Sequence, residues 1–201
     1  YSTDPLFKAK GKVEVHYISE KDLSRLSFQK SPNKVLGIFE IPEAEEVDFS
    51  DWVVVLDAIQ DPGNLGTIIR LCDWFGIAHL ICSPDTVDCY NPKVLQSTMG
   101  SIARVNIVYK DIVDLLEENK NVAFGTYMQG NSVYSANLPE KGLLILGNEG
   151  KGISEEVGIK LNAKNRLSIP QYGKKTTESL NVATATAIFL SEIRSGTRVT
   201  N

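Results

Sequence analysis

Three polar segments carry the side chains of this chain that could do chemistry, at residues 62–70, 147–152 and 169–181. The second and third segments come directly after the apolar runs 143–146 and 167–169, which end abruptly in turn-forming residues. Such runs are typical of buried parallel strands, and the polar residues after them are typical of loops. Because open α/β sheets bind ligands at the carboxyl ends of their strands, these two loops predict one site built from both.

The segment Gly147–Gly152 reads Gly-Asn-Glu-Gly-Lys-Gly. Glycine-rich turns after strands expose backbone N–H groups that can hold an adenine, a carboxylate or a phosphate. The segment matches neither the GxxxxGK[ST] phosphate-binding loop nor the GxGxxG dinucleotide-binding loop. Taken alone, it is also compatible with a simple flexible turn.

The first segment contains Asn64 and Arg70, six positions apart. On one helix this offset leaves the two side chains about 120° off a common face. They would meet only if Asn64 lies on the loop before the helix. The alternative is a capped helix whose arginine is exposed. In the third segment Ser179 is a good N-cap residue, and capping is its role if it has no function in a site.

Alternating apolar runs and helical periodicities predict the elements that position these segments. Strands are predicted at 52–56, 77–81, 103–108, 122–126, 143–146 and 166–169, and helices at 65–75, 91–99, 111–119, 154–161 and 179–193. Strands and helices alternate, so the chain is expected to be α/β, with a mostly parallel sheet and helices on both faces.

Residues 1–41 are polar, with a predicted strand at 13–17, a helix at 20–26 and a strand at 34–39. They are expected to be part of a small amino-terminal α/β domain, and the chain does not begin with Met. The acidic stretch 42–51 is a predicted linker, and 52–201 forms the main domain.

The net charge of −4 over 201 residues argues against a protein that is basic over its whole surface. Residues 1–39 nevertheless carry seven basic side chains against four acidic ones. A local basic face can bind phosphate, although an excess this small also fits an ordinary solvated surface. Three cysteines without a CxxC pair and two distant histidines predict no metal site and no disulfide. With no apolar stretch long enough for a membrane span and no signal peptide, a cytoplasmic location is expected.

Together the three segments resemble the SpoU (TrmH-type) RNA 2′-O-ribose methyltransferases of the SPOUT class. The matching motifs are Asn-Leu-Gly-x-Ile-x-Arg at 64–70, Leu-Gly-x-Glu-Gly-x-Gly at 146–152 and Ile-Pro…Ser-Leu-Asn-Val at 169–182. Thr98–Ser101 resembles a shorter small-residue element found between the first two. The likeness covers about residues 52–194, and residues 1–41 resemble the end of a ribosomal-protein-like RNA-binding domain.

The resemblance implies a carboxy-terminal trefoil knot, which pattern reasoning would not propose because knots are essentially absent from folds. It also implies a homodimer with the site near its interface. The implied cofactor is S-adenosylmethionine, and the implied partner is RNA, with ribosomal RNA favoured over transfer RNA. The implied cofactor-binding positions are Thr126, Gly147, Ile169 and Leu180. The implied active-site positions are Asn64, Arg70, Glu149, Ser179 and Asn181.

Arginine stays protonated in proteins, so Arg70 is expected to clamp the target phosphate and orient the 2′-oxygen, with the proton acceptor left open. Asn64 and Glu149 would position Arg70, and Ser179 and Asn181 would hold the loop or the nucleotide. The loop from 169 to 180 is about two residues longer than the family pattern, with the extra residues at 174–177.

The same segments lead to expectations about substitution and assembly. A valine at Gly147 should weaken cofactor binding, because a side chain would intrude where the backbone approaches the ligand. The last helix should supply a dimer surface through its apolar residues Val182, Ile188, Phe189 and Ile193. The alternatives to an enzyme are an RNA-binding protein of the same fold without catalysis and an ordinary nucleotide-binding α/β domain.

Overall fold

The computed structural model describes residues 1–8, 10–11, 13–173 and 179–195. It divides the chain into two compact units, Tyr1–Glu43 and Ala44–Asn201. Each unit is considered by itself.

The first unit contains helix α1, Glu20–Leu26, as the sequence predicts. The helix begins after Ser19, whose hydroxyl accepts the N–H of Asp22 at 3.2 Å. The Ser19 hydroxyl in turn donates to the Asp22 carboxylate at 2.6 Å. Leu23 is the buried residue of this helix. A capped start and one buried apolar side chain are thus enough to mark the helix in the sequence.

The strands predicted at 13–17 and 34–39 do not form regular ladders among the described residues. In their place Ser2 makes two isolated bridges, a parallel one with Tyr17 and an antiparallel one with Val35. Val13 and Phe39 are 61% and 86% exposed. The alternating apolar residues therefore bury no common face, and the pattern lacks the packing that would hold a strand.

The second unit is built on a sheet whose described strands number six. They are β1 (Val53–Leu56), β2 (His79–Cys82), β3 (Asn106–Tyr109), β4 (Ala123–Ser132), β5 (Leu143–Leu146) and β6 (Arg166–Ser168). Their order is β3-β2-β1-β5-β4-β6, and every neighbouring pair is parallel. The predicted parallel sheet is confirmed.

Helices cover both faces of this sheet. They are α2 (Pro62–Trp74), α3 (Pro92–Thr98), α4 (Ile112–Glu118), α5 (Glu155–Lys160) and α6 (Val182–Ser195), with short 3₁₀ helices at Ser101–Ala103, Val133–Ser135 and Ala163–Asn165. Successive side chains of a strand point to opposite faces. Val54 and Leu56 accordingly pack with α2, α3 and α6, whereas Val53 and Val55 pack with α4 and α5. The expected α/β architecture is confirmed.

Strand β4 is longer than the predicted strand at 122–126. Its added half pairs with β6 after a register shift, so that Thr126 and Asn131 both face Leu167. A Cβ at Gly130 would lie 2.5 Å from the Arg166 carbonyl oxygen, so the close approach needs a glycine. Residues 128–131 are exposed. The extension of β4 therefore shows no alternation of apolar and polar residues from which it could be predicted.

Part of the predicted linker lies against the second unit. The Asn106 side chain accepts the N–H of Glu45 at 3.0 Å and donates to its carbonyl at 2.9 Å. Further on, the guanidinium of Arg194 makes two hydrogen bonds to Asp51, at 2.7 and 3.0 Å. Burial opposes ionisation of Asp51, but the bonds from Arg194 and the Trp52 N–H outweigh it and lower the pKa of Asp51. This ion pair ties the start of the second unit to its last helix.

The loop after β5 folds back on itself. Asn148 and Gly152 form an antiparallel bridge with both N–H···O distances at 2.9 Å. A Cβ on Gly147 would lie 2.1 Å from the carbonyl carbon of Gly152 and the nitrogen of Ile153. The glycine is therefore required first by the loop's own backbone. A side chain at Gly147 would therefore disturb the loop itself, in addition to any ligand that it met.

We expect Gly147→Ala to destabilise the folded chain by about 1–3 kcal/mol or more, since backbone must move to admit the methyl group. Gly150→Ala is the matched control. At Gly150 a Cβ would meet only the Asn148 side chain, at 3.7 Å, and the change should stay within about 0.5 kcal/mol. Urea unfolding of both variants gives the comparison. Equal stabilities would contradict the backbone explanation.

Candidate active site

The site begins where β1 and β5 end side by side, with Leu56 paired to Leu146. The loop after β1 leads into α2, and the loop after β5 is the glycine loop 147–152. Asp61 is the N-cap of α2, and its Oδ1 accepts the N–H of Asn64 at 2.8 Å. Asn64 thus lies in the first turn of the helix. The alternative in which Asn64 precedes the helix is wrong.

One side chain from each of the three polar segments joins a continuous hydrogen-bonded chain. Asn64 Nδ2 donates to Glu149 Oε1 at 3.0 Å. Asn181 Nδ2 donates to Asn64 Oδ1 at 2.9 Å. The backbone N–H of Asp61 also points to Glu149 Oε1, at 3.4 Å. Segments that are 85 and 117 residues apart in sequence therefore meet at Asn64.

The donor-to-acceptor direction of these hydrogen bonds depends on the Glu149 carboxylate. An ionised carboxylate only accepts hydrogen bonds, so Glu149 draws the NH₂ group of Asn64 toward itself. The carbonyl oxygen of Asn64 is left facing the NH₂ group of Asn181. Asn181 Oδ1 then accepts the N–H groups of Ala183 and Thr184, at 3.0 and 3.2 Å. One charged group thus sets the orientation of both amides.

Asn181, rather than Ser179, caps the last helix. Helix α6 begins at Val182, and the two bonds to Asn181 Oδ1 satisfy its free N–H groups. The predicted capping role of Ser179 is wrong, because that residue lies two positions before the cap. Ser179 and the half-exposed Leu180 instead line a cavity.

That cavity is open, with a volume of about 570 Å³. Its described lining consists of Asp61, Asn64, Glu149, Ser179, Leu180, Asn181 and Val182. Four predicted active-site residues and one predicted cofactor-binding residue are thus brought together. Sequence reasoning missed Asp61 and Val182, although an aspartate directly before a proline and a helical period is a recognisable N-cap signal.

Arg70 lies apart from the hydrogen-bonded chain. It is exposed, two turns further along α2, and it has no hydrogen bond or ion pair with any residue in the described ranges. Asn64 and Glu149 bond to each other, not to Arg70 as expected. The guanidinium is thus uncommitted within the described part of the chain.

The remaining predicted cofactor positions sit on neighbouring strands. Gly147 directly follows β5, Ile169 directly follows β6, and Thr126 belongs to β4, which lies between those two strands. None of the three is in the described cavity lining. The extra residues at 174–177 fall outside the described residues.

Other kinds of site find no support among the described residues. No group of three His, Cys, Asp or Glu side chains there could hold a metal ion. Nor does that part of the chain contain a helix with the length and apolar character needed to cross a membrane. Cys72, Cys82 and Cys89 are buried and free. Burial, with a smaller effect of Asp73, raises the pKa of the Cys72 thiol to about 12, as suits a small core residue.

Comparison with protein families gives one match over most of the chain. The model of the SpoU rRNA Methylase family matches residues 51–191. The matched span contains all three polar segments and every strand described above.

Two curated relatives carry names of enzymes. The 23S rRNA (guanosine(2553)-2′-O)-methyltransferase RlmP of Bacillus subtilis is 33% identical over 187 residues, covering 90% of this chain and 73% of that protein. The 23S rRNA (guanosine-2′-O-)-methyltransferase RlmB of Neisseria meningitidis is 33% identical over 147 residues, covering 71% of this chain. The chain spans 57% of the length of that second relative.

Two solved structures are similar over almost the whole chain. A TrmH-family protein from Porphyromonas gingivalis has a TM-score of 0.84 and 39% identity, covering 94% of this chain and 78% of that one. An AdoMet-bound rRNA methyltransferase from Sinorhizobium meliloti has a TM-score of 0.79 and 30% identity, covering 90% of this chain and 72% of that one.

The hydrogen-bonded chain can be tested without any ligand. Asn181→Asp keeps an oxygen that caps α6 but replaces the NH₂ donor with a second acceptor facing Asn64 Oδ1. We expect Asn181→Asp to lower the free energy of unfolding of the native protein. In the Asn64→Ala background, where the facing oxygen is gone, the loss should be smaller by at least about 0.5 kcal/mol.

Asn91→Asp is the control for this cycle. Asn91 caps α3 by accepting the N–H of Lys93 at 2.9 Å, and it shares no hydrogen bond with Asn64. Its substitution should cost the same in both backgrounds when unfolding is followed in urea. Equal costs for Asn181→Asp in the two backgrounds would show that Asn64 and Asn181 are not coupled.

Proposed function

Because the chain belongs to the SpoU rRNA Methylase family, we propose that it transfers a methyl group from S-adenosylmethionine to a ribose 2′-hydroxyl of RNA. The observation that carries this proposal is the meeting of the three family segments at Asn64, through Glu149 and Asn181. We favour ribosomal RNA over transfer RNA as the substrate. The support for this choice is that the relatives from Bacillus subtilis and Neisseria meningitidis are named as 23S rRNA enzymes.

The residues present fit the cofactor. A cavity of about 570 Å³ lies at the carboxyl ends of the strands, where α/β sheets bind ligands. Small-molecule sites in proteins commonly measure about 300–1,000 Å³. Leu180, which lines this cavity, would hold S-adenosylmethionine together with backbone groups outside the described lining, near Thr126 in β4, Gly147 directly after β5 and Ile169 directly after β6. When bound, the cofactor supplies an electrophilic methyl group on a sulfonium centre.

The chain's own residues then have two tasks. They must hold the ribose so that its 2′-oxygen approaches the methyl group in line, and they must assist loss of the hydroxyl proton. Arg70 is suited to the first task, since its guanidinium, which has no partner in the described ranges, can bind a phosphate through two parallel hydrogen bonds. It is poorly suited to accept a proton, because arginine stays protonated.

Asn64, Glu149 and Asn181 would act as a rigid wall of the pocket. Their donors and acceptors are largely used by one another, so they fix the position of the α6 start. Ser179 lines the same cavity, at the described end of the loop that leads to α6. We place Ser179 and Asn181 beside the ribose in the proposed complex.

The proposal includes a carboxy-terminal trefoil knot. Its support is that β6 is an edge strand of the described sheet, whereas Asn181, which follows β6 in sequence, bonds Asn64 of α2, and α6 packs on the same core as α2. We also propose that residues 1–41 belong to an RNA-binding domain joined by residues 42–51 to the catalytic domain at 52–201. The separate compact unit at Tyr1–Glu43 supports this division.

A homodimer is also proposed, through a surface that differs in part from the one expected from the sequence. Of the four residues of α6 expected to form it, Ile188 and Ile193 are partly exposed. Val182 and Phe189 are only 8% and 2% exposed and belong to the chain's own core, so they are not free for a partner. The exposed apolar side chains of the second unit include Trp74 at 82%, the last residue of α2, and Met99 at 73%, directly after α3. A location in the reducing cytoplasm, which the free cysteines suit, completes the proposal.

The dimer predicts a mass near twice 22.1 kDa at micromolar concentration. Light scattering of the native chain and of Trp74→Asp is the measurement. A charge placed on a buried apolar contact should shift the variant toward monomer. A native chain that stays at 22.1 kDa would rule the dimer out.

Arg70 gives the sharpest test of activity. In Arg70→Ala, folding and S-adenosylmethionine affinity should be unchanged, because the side chain has no partner in the described ranges. Single-turnover transfer of labelled methyl groups to unmodified ribosomal RNA should fall about a hundredfold or more. Arg70→Lys should recover only part of the rate, since lysine keeps the charge but lacks the planar fork.

Arg104→Ala is the control for loss of a cation from the second unit. Arg104 is also exposed, but it is bound to Asp73 at 2.7 Å. Its loss should leave methyl transfer unchanged. Full activity in Arg70→Ala would remove Arg70 from the site, and absence of any transfer by the native chain would favour an RNA-binding role without catalysis.

A further inference from the structure

We propose that Asn148 is a positioning residue for the reaction, acting through the neighbouring Glu149. It docks the glycine loop onto the end of β1 and thereby sets where the Glu149 carboxylate meets Asn64. This inference rests on the proposed function. It concerns a residue outside the set that the family motifs assign to the active site of this chain.

Asn148 first closes the loop on which it lies. Its Oδ1 accepts the N–H groups of Gly150 and Lys151, both at 3.0 Å. Its backbone forms the bridge with Gly152. The side-chain oxygen therefore holds the turn in one shape, and the side-chain nitrogen is left to make contacts outside the loop.

That nitrogen docks the closed loop onto a distant piece of backbone. Asn148 Nδ2 donates to the carbonyl oxygen of Ala58 at 2.7 Å, across 90 residues of sequence. It also lies 3.5 Å from Glu149 Oε2. A partly buried hydrogen bond of this kind stabilises the contact, and losing it would leave the Ala58 carbonyl without this partner. It joins the loop after β5 to the corner that directly follows β1.

The corner at Ala58 is itself held in an unusual conformation. Ala58 has φ +57°, a left-handed geometry that is unfavourable for a residue with a Cβ. Its N–H donates to Ser83 Oγ at 2.8 Å, and its carbonyl receives Asn148. Such strain persists where the surroundings fix it, and it is concentrated at functional sites.

A second contact ties the far end of the loop to the same corner. The carboxylate of Asp57 is 6% exposed, and its Oδ2 accepts the N–H of Ser154 at 2.7 Å. The loop is thus attached to residues 57 and 58 on both sides. Glu149, by contrast, is exposed, and its contacts are with Asn64, the Asp61 N–H and Asn148. Its position therefore depends on the docked loop.

The experiment is a comparison of Asn148→Asp with Asn121→Asp. Asn148→Asp keeps the side-chain oxygen that closes the loop. It loses the NH₂ group that donates to Ala58 and places a second oxygen against the Ala58 carbonyl. Asn121 is a matched control, because its Nδ2 donates to the Phe49 carbonyl at 2.9 Å in a similarly half-buried place away from the cavity. Both variants lose one hydrogen bond to remote backbone.

We expect similar losses of thermal stability in the two variants. Asn148→Asp should lower S-adenosylmethionine affinity or the single-turnover methyl-transfer rate by about tenfold, the equivalent of 1.4 kcal/mol at the site. Asn121→Asp should leave both within about twofold. Asn148→Ala, which adds no charge, should be impaired at least as much as Asn148→Asp.

Hydrogen exchange distinguishes closure of the glycine loop by Asn148 Oδ1 from docking of the loop by Asn148 Nδ2. The amides of Gly150 and Lys151 should keep their protection in Asn148→Asp and lose it in Asn148→Ala. Ala58→Gly, which keeps the carbonyl and adopts the same φ without strain, should retain activity.

Native activity in both Asn148 variants would overturn the positioning role. A native chain that neither binds the cofactor nor methylates RNA would instead overturn the proposed function, while the exchange pattern would still report on docking.

Discussion

The parallel pairing of β1 with β5 is the contact on which the rest of the second unit depends. Both strands are fully buried, and their register sets Leu56 beside Leu146. Two chain segments that leave neighbouring parallel strands at the same edge must begin their loops side by side. The strained corner at Ala58, the glycine loop and the first turn of α2 are all consequences of that one alignment. A shift of one residue would turn every side chain of the strand to the opposite face and separate the loops.

The polar groups above this edge are arranged so that one carboxylate decides many orientations. Glu149 aligns Asn64, Asn64 aligns Asn181, and Asn181 satisfies the start of α6. Because each amide has one donor end and one acceptor end, the order cannot be reversed without leaving like groups in contact. The arrangement therefore specifies a single geometry although most of its members are exposed to solvent.

The sequence predicts much of this because buried parallel strands leave a strong signal. The uninterrupted apolar runs 53–56 and 143–146 mark strands that are covered on both faces, and β5 has the predicted bounds. The convergence of loops after β5 and β6 is predicted by the same reasoning. The features that the sequence did not predict depend on contacts between residues that are distant in sequence and close in space. The added half of β4 is polar and exposed, and it exists only because β6 pairs with it past Gly130.

The finer errors have the same origin. Ser179 and Asn181 are both suitable N-cap residues, and only the actual start of α6 distinguishes them. The apolar residues of α6 appeared numerous enough for a second chain, but Val182 and Phe189 are taken up by its own sheet. The docking of Asn148 on Ala58 links residues 90 positions apart and has no periodicity to reveal it. Local pattern predicts elements, whereas contacts between loops depend on how the elements are assembled.

The span of the contacts also orders events during synthesis. A chain emerges from the ribosome from its amino terminus onward, at roughly 5–20 residues per second. Strands β1 to β3 can pair once residue 109 is out. Asn64 must wait for Asn181, which lies 117 residues further along the chain than Asn64, and Asp51 must wait for Arg194, 143 residues beyond Asp51. The cavity wall is therefore completed only after most of the unit has been synthesised. An interrupted chain would carry most of the sheet and none of the finished site.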